Sequence, residues 1–567
     1  MSEESQDKTE NYRLRNHFEQ RYYSMDNERQ SFLPLWQDIS DHVRPNAVRI
    51  NTTIKYDKGR RADRCIIDPT ATLASRTLRS GLMAGLTSPA RPWFKVNTPH
   101  TDLNAFAPVK AWLYNVEVLL HEAFAKSNLY QILPLVYGDC GDFATSCMSC
   151  LEDDKTILRF SHFMPGQYFI AVNNHNRCDS MYRRFPMTVR QLVQQFGMEN
   201  VSPTVKSMYD SQQYEMEIEV CQAIEPNDSR DCASFSNADK PFRSVWFEWG
   251  EDWGKFLRKS GFDEFPIMAP RWDLYDESCY GTSSPGIDCL GSNRALQLAD
   301  KRETQAVDWY VRPHYLVDSS LRNQFKGMLP GGETYIDNLA ASAHAGARPV
   351  REVNPSIKEI DLKIQRYQGF IKRCYFEDVM QTLIQGETSD RKTAREVEEY
   401  HAEKVLILGP VMERFNDELF DPLIERAFGI LSRKGFFPTP PKELHGQDLK
   451  VEYTSILAQA QKLLGTTNIQ AVYGFTAQLA QMDPKVADKF NGDEAVDTFA
   501  SMHGINPNII RGKEEVGKLR ELRAKQQQAA QIAQMAKPMK EMAQAGKAMG
   551  ETDGDNLKQL MSGMTGQ

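Results

Sequence analysis

Three groups of residues in this chain have types and spacings that could do chemistry. Cys147 and Cys150 form a CxxC with Cys140 close by, the start of a metal clip or a redox pair. His121-Glu122 begins like the helix of a zinc protease, and Gly281 to Gly286 has the outline of a serine elbow. Each lacks its complement. No second cysteine pair answers the CxxC, no histidine completes HExxH, and the glycines do not frame a serine as GxSxG requires. The three cysteines are therefore expected to be buried as small hydrophobic residues.

Other chemistries fail similarly. There is no GxxxxGK[ST] loop to cradle phosphates. Asp553, Gly554 and Asp555 imitate a calcium loop, but the glycine is misplaced and no glutamate stands at the twelfth position. Glu396, Glu398, Glu399 and Glu403 lie beside Arg395 and Lys404 and read as a solvated, ion-paired helix face rather than an acid/base pair. The 11 histidines show no metal spacing. The expectation is no enzyme, no cofactor and no metal.

The totals describe a soluble, folded chain. Of 567 residues, 25% are charged and 41% hydrophobic, and the formal net charge of −8 comes without any strongly basic block, so no region has the footprint of a tight nucleic-acid binder. The N-terminus has no export signal, and no apolar run reaches the roughly 18 residues of a membrane span. Ten scattered cysteines suit reduced thiols of a protein made in a cytoplasm. The length suggests three or four domains, or one elongated subunit of several modules.

The elements come next. Asp68 and Pro69 cap a helix whose inward residues are read as Leu73, Leu78, Leu82 and Leu86, with Gly81 and Gly85 giving it a smooth stripe. It ends in "SGLMAGLTSPARPWFKV", a proline-stiffened turn followed by the exposed-looking pair Trp93 and Phe94. A second helix from Pro108 aligns Val109, Trp112, Leu113, Val116, Leu120 and Phe124 and is expected to pack on the first. Residues 156–272 change period: "YEMEIEVCQAI" alternates Met216, Ile218 and Val220 with glutamates, which predicts a half-buried antiparallel sheet interrupted by the helix "TVRQLVQQFG".

A helix is predicted over Ile287 to Val311, stopping before Pro313, and another over Ile357 to Met380 with Ile357, Ile360, Ile364, Tyr367 and Ile371 in a narrow seam. Each would be on the order of 35 Å long, which suggests an antiparallel hairpin of helices with a small insert at its tip. After the polar loop "QGETSDRK", a capping box at Thr393 and Glu396 opens a long helix with Leu408, Met412, Phe415, Leu419 and Leu423 inward and a kink at Gly409-Pro410. Beyond Pro441 the pattern is nearly all helical, and it becomes Ala/Gln/Met-rich from Glu514. The fold class read here is α+β, mainly helical.

In this order the elements resemble the head-to-tail connector, or portal, proteins of short-tailed, podovirus-type double-stranded DNA bacteriophages, over roughly residues 10 to 510. "SGLMAGLTSPARPWFKV" is similar to one family signature and "TAREVEEYHAEKVLILGPVMERFNDELFDPLIERAFGIL" to a second. The resemblance implies a ring, commonly of about twelve subunits, at one capsid vertex, through which DNA is packaged and later ejected. It implies a wing over residues 1–285, stem helices over 286–311 and 357–380, and a clip over 312–356. A tunnel loop and long wing helix would occupy 381–450, a crown 451–512, and a helical barrel or flexible tail 513–567.

The implied tunnel loop comprises Gln385, Glu387, Thr388, Ser389, Asp390, Arg391 and Lys392, near the DNA. Channel candidates on the stem are Lys301, Arg302, Lys358, Lys363, Arg366, Lys372 and Arg373. Clip docking falls to Arg312, His314, Tyr315, Arg348 and Arg351. Gly81, Gly85, Trp93 and Phe94 would form a wing joint or subunit contact, with burial in the subunit's own core as the equal alternative for the two aromatics. Implied partners are further copies of the chain, the large terminase subunit, tail adaptor or nozzle proteins, major capsid and scaffolding proteins, and double-stranded DNA bound without regard to sequence. No membrane is implied, and the location is the virion, with assembly in the host cytoplasm. Another ring-forming virion component, such as a tail adaptor, is the alternative. A nuclease or packaging ATPase is a third reading, the ATPase being disfavoured by the missing phosphate loop.

Overall fold

The computed structural model of the chain describes residues 3–45, 50, 66–100, 103–104, 106–231, 236–250, 255–312, 315–318, 333–336, 348–349, 357–385, 408–444, 446, 449–454, 475–476, 479, 491–493, 495–496, 516–517 and 519–527. The chain divides into two compact units, Met1–Leu464 and Gly465–Gln567. In the second unit the described residues are short pieces, many of them helical, and Arg520 forms a bidentate ion pair with Asp493 at 2.6 and 2.7 Å.

The first unit is mixed helix and sheet. Helices α1 (Glu3–Gln30), α2 (Leu33–His42) and α3 (Thr70–Leu86) precede strand β1 (Phe94–Asn97) and helices α4 (Ala107–Lys126) and α5 (Leu129–Phe143). Two sheets follow. One orders β3 (Ile157–Phe163), β2 (Cys147–Asp153) and β9 (Ile267–Met268). The other runs β4 (Phe169–Val172), β5 (Cys178–Thr188), β6 (Glu217–Pro226), β7 (Phe242–Glu248) and β8 (Arg258–Phe262), antiparallel throughout. The strands begin at Cys147 rather than Thr156. α6 (Val189–Phe196) interrupts them as expected, with a complete capping box between Thr188 and Gln191, and α7 (Pro203–Asp210) follows it.

The alternation expected of β6 holds only at its start. Met216 precedes the strand and is half exposed, whereas every residue from Val220 to Glu225 is buried. The reason is position: β6 is the central strand, and α1 covers one face of the sheet. There Phe18, Tyr22 and Met25 pack on Phe169, Tyr182 and Phe247. A strand buried on both faces loses the period of two.

Helix α3 begins where Asp68 Oδ1 accepts the Thr70 N–H at 2.7 Å. Leu78, Leu82 and Leu86 are buried as expected, but Leu73 is 54% exposed. Five residues separate Leu73 from Leu78, so at about 100° per residue Leu73 falls about 140° off the face, and Ala71, Ala74 and Ser75 occupy the interior instead. The apolar face predicted for α4 is buried throughout, from Val109 to Phe124. It packs on β1 and on α5, a helix the sequence reading passed over; α3 packs on α5 and on a later helix instead.

Trp93 and Phe94, for which a subunit contact and burial in the subunit's own core stood as equal alternatives, lie in the subunit's own core. They are 2% and 0% exposed, and Trp93 meets Phe94, Phe124 and Phe420 with ring centroids 4.6, 6.1 and 5.3 Å away. Its indole N–H donates to Tyr130 Oη at 3.3 Å. β1 pairs antiparallel with β13 (Lys450–Tyr453), so the region past Pro441, read as nearly all helical, holds a strand after a short 3-10 turn at Lys442–Leu444. The cover over Trp93 comes from more than three hundred residues downstream, beyond the reach of local pattern.

Beside β1, burial lifts the Glu117 carboxyl to about 7, against the pull of Lys95 and the Val96 N–H. A carboxyl whose folded value is raised stabilises least once ionised, so stability should decline as pH rises from the unfolded value of 4.5 through about 7. Urea midpoints at about pH 5 and about pH 8 should show that decline, and Glu117→Gln should flatten it. An unchanged slope in the variant would place the cause elsewhere.

The kink predicted at Gly409-Pro410 would join this helix to residues 393–407, which lie outside the described residues. Pro410 stands in the first turn of α11 (Gly409–Phe415), where a missing N–H costs no hydrogen bond. The irregularity comes later, as a π-turn over Asn416–Phe420 before α12 (Asp421–Arg433). The π-turn carries Glu418, which accepts the Arg271 backbone N–H at 2.8 Å, Nε at 3.1 Å and Nη2 at 2.6 Å. Arg271, 2% exposed, also donates from Nη2 to the Asn176 carbonyl at 2.6 Å. One guanidinium thereby ties the β4–β5 turn and the segment after β9 to the long helix. Leu408, Met412, Phe415, Leu419 and Leu423 are all buried, as predicted.

Candidate functional site

The elements that carry the expected channel residues are α8 (Pro285–Val311), α9 (Ile357–Cys374) and α10 (Glu377–Gln385). Ser284 caps α8, its Oγ accepting the Ile287 N–H at 3.3 Å, with Pro285 in the first turn. The helix ends at Val311 ahead of Pro313, within two residues of the predicted bounds. α8 and α9 pack together and run antiparallel: Cys289 meets Tyr375, while Gln297 and Gln368 both reach Asp68. The seam is present, with Ile364 and Ile371 buried and Ile360 and Tyr367 half-buried.

Among the described residues the hairpin is anchored near the start of α8. Asn293 Nδ2 donates to the His42 carbonyl at 2.8 Å, and Gln297 Oε1 accepts the N–H groups of Ile67 and Asp68 at 2.6 and 2.9 Å. Beyond Lys301 no α8 side chain is buried. Lys301, Arg302, Arg312, Lys358, Lys363, Arg366, Lys372 and Arg373 are exposed. Among them, Lys372 reaches Glu377 at 3.9 Å.

The helix predicted over Ile357 to Met380 is shorter than expected. It stops at Cys374, and a break at Tyr375-Phe376, where Phe376 takes φ of 52°, separates it from α10. The break has no glycine or proline to announce it. It is set by tertiary contacts: Tyr375 Oη donates to Asp142 Oδ1 at 3.0 Å, deep between α5 and α9. Asp142 Oδ2 accepts Ser75 Oγ at 2.8 Å, and Arg44 Nη1 sits 2.5 Å from Asp139 Oδ1 and 3.5 Å from Asp142. His162 Nε2 lies 2.6 Å from Asp139 Oδ2. Burial pushes the Asp142 carboxyl up despite Arg44, Ser75 and Tyr375. Burial pulls the Arg44 guanidinium down, but Asp139 and Asp142 outweigh it and leave it raised.

Sequence reasoning missed this network. Its signal is "YGDCGDF", two acids three residues apart in an otherwise apolar stretch, where carboxylates survive burial only if paired. Gly81, expected at a joint, is where α10 seats: a Cβ there would come within 2.5 Å of Met380 Sδ. Gly85 is buried on the same helix.

The clip candidates are placed only in part. Tyr315 opens β10 (Tyr315–Asp318), which pairs parallel with β11 (Glu333–Ile336) and antiparallel with β12 (Arg348–Pro349), the strand that carries Arg348. His314 and Arg351 lie outside the described residues. Gln385, assigned to the tunnel loop, is the last residue of α10; Glu387, Thr388, Ser389, Asp390, Arg391 and Lys392, with Thr393 and Glu396, lie outside them as well.

No catalytic or metal arrangement emerges among the described residues. No group of three His, Cys, Asp or Glu is placed to hold a metal there, and no described helix is long and apolar enough to cross a membrane. Cys140, Cys147 and Cys150 are fully buried free thiols, and burial pushes each well up.

Residues 15–510 match the family described as bacteriophage head to tail connecting protein. The chain belongs to that family. It is 43% identical over 526 residues to the portal protein of Salmonella phage epsilon15, covering 93% of each chain. It is 39% identical over 511 residues to a protein named "Probable portal protein" from Bordetella phage BPP-1, covering 90% of this chain and 91% of that one. Its function is that of a head-tail connector, or portal. The head-tail connecting family is structural rather than enzymatic, and its members are oligomeric virion components that join capsid to tail.

Proposed function

We propose that the chain closes into a ring of about twelve copies at one capsid vertex and forms the channel through which double-stranded DNA is packaged and later ejected. In this reading residues 1–285 are the wing, and 286–311 and 357–380 the stem, interrupted at Tyr375-Phe376. Residues 312–356 are the clip. The tunnel loop and long wing helix fall in 381–450, the crown in 451–512, and a barrel or tail in 513–567. The clip docks the large terminase subunit during packaging and tail adaptor or nozzle proteins afterwards. The wing meets major capsid and scaffolding proteins, and assembly takes place in the host cytoplasm.

The observation that carries this reading is a set of exposed apolar side chains on the helical hairpin. Trp309, Tyr310 and Val311 on α8 are 40, 63 and 67% exposed, and Leu362 on α9 is 64% exposed. Large, partly exposed apolar side chains on paired helices suit burial against neighbours through a heterologous interface that closes on itself. The basic residues among them, Lys301, Arg302, Lys358, Lys363 and Arg366, suit transient phosphate contacts in a channel. A ring carrying −8 per subunit would hold DNA loosely enough for it to slide.

Native mass spectrometry with negative-stain class averages tests the reading. A closed ring of about twelve subunits with a central hole is the expected result. A monodisperse monomer at every salt concentration and in the presence of scaffolding protein would overturn it.

A further inference from the structure

Among the described residues, two arginines on α3 have no partner for their guanidinium groups. Arg76 and Arg79 stand one helical turn apart, Arg76 exposed and Arg79 half-buried, and neither side chain forms an ion pair or a hydrogen bond there. Arg79 lies against α5. A Cβ at Gly138 would come within 3.1 Å of Arg79 Cδ and 3.5 Å of Arg44 Nη1, so the two arginine side chains converge over a position of α5 that carries no side chain.

The nearby acids are already engaged. Asp139 pairs with Arg44 through Oδ1 and with His162 through Oδ2, at 2.5 and 2.6 Å. Asp142 accepts Tyr375 Oη on Oδ1 and Ser75 Oγ on Oδ2, with Arg44 Nη1 3.5 Å from the second oxygen. Burial pulls the Arg79 guanidinium down, Arg44 and Arg76 add to the pull, and Asp142 and Asp139 do not restore it. Arginine keeps its proton at neutral pH regardless, so Arg79 carries a charge where its surroundings disfavour one. An anion beside it would offset that penalty.

We propose that Arg76 and Arg79 bind a free tetrahedral oxyanion of the phosphate class at the edge of the contact between α3 and α5, with Arg44 adding its field. A carboxylate presents two oxygens in one plane and suits a single guanidinium fork, whereas a tetrahedral oxyanion can give separate oxygens to each arginine. Two cations one turn apart match one such group rather than the row of phosphates along a duplex. The proposal stands apart from the ring reading, since all three arginines belong to one subunit.

The test is isothermal titration calorimetry of inorganic phosphate into the full-length protein in chloride buffer. Saturable binding at one site per subunit is expected, weakened at least about tenfold in Arg79→Met and in Arg76→Gln. Thermal melting supplies a second readout. In chloride, Arg79→Met should melt at or above the wild type, because it removes an unpaired, half-buried cation from beside Arg44. Phosphate raises the melting point of most proteins through its exclusion from their surface, so the part that belongs to the site is the extra rise seen in wild type and missing from Arg79→Met. Phosphate heats that are absent, or equal in all three proteins, would overturn the proposal. An Arg79→Met protein that melts several degrees lower in chloride would do the same, since Arg79 would then have a partner of its own. So would acetate binding as tightly as phosphate, or a short DNA duplex binding through these residues where inorganic phosphate does not.

Discussion

Replacing Arg271 by methionine is expected to destabilise the subunit by about 3–5 kcal/mol, the cost of leaving a buried partner charge uncompensated. Glu418 would lose two side-chain donors and keep only the Arg271 backbone N–H, and the Asn176 carbonyl would lose its guanidinium. Urea unfolding of the monomeric subunit should show the loss as a lower midpoint. The double variant Arg271→Met/Glu418→Leu should recover part of it, since removing both charges also removes their desolvation cost. A loss below about 1 kcal/mol would mean that the ion pair is not what holds the π-turn.

The second large effect is expected at Trp93. Trp93→Ala removes a fully enclosed indole and should cost about 3–5 kcal/mol. Because its neighbours Phe94, Phe124, Tyr130 and Phe420 all belong to the same subunit, folding and ring yield should fall together. Trp93→Phe, which keeps most of the packing and loses the hydrogen bond to Tyr130, should be far milder. A variant that melts normally as a monomer yet forms no rings would show that the side chain acts between subunits after all.

These two residues mark where sequence reasoning stopped. Periodicity located the buried faces of α4 and α9 and the inward leucines of the long helix, because an amphipathic helix writes its face into its own spacing. It failed where the partner is distant. Trp93 looked exposed because its cover comes from Phe420 and Thr454. The helix break at Tyr375 was invisible because a buried carboxylate from α5, not a glycine or proline, sets it. α5 itself was passed over: its Pro134 and its two acids break the usual signals, and only burial beside Arg44 explains them. For the candidate site, the paired helices α8 and α9 with short strands between them in the chain were legible, and so were the exposed cations.

The pairing of β1 with β13 also sets a clock. Asn97 Nδ2 donates to Glu452 Oε2 across 355 residues of chain. At about 5–20 residues per second, a ribosome needs roughly 20–70 s to deliver β13 after β1 has been made. During that interval Trp93 and Phe94 lack their lid and the strand edge of β1 is open, the condition in which nascent chains draw on chaperones. The subunit therefore completes this part of its core only after β13 has been made.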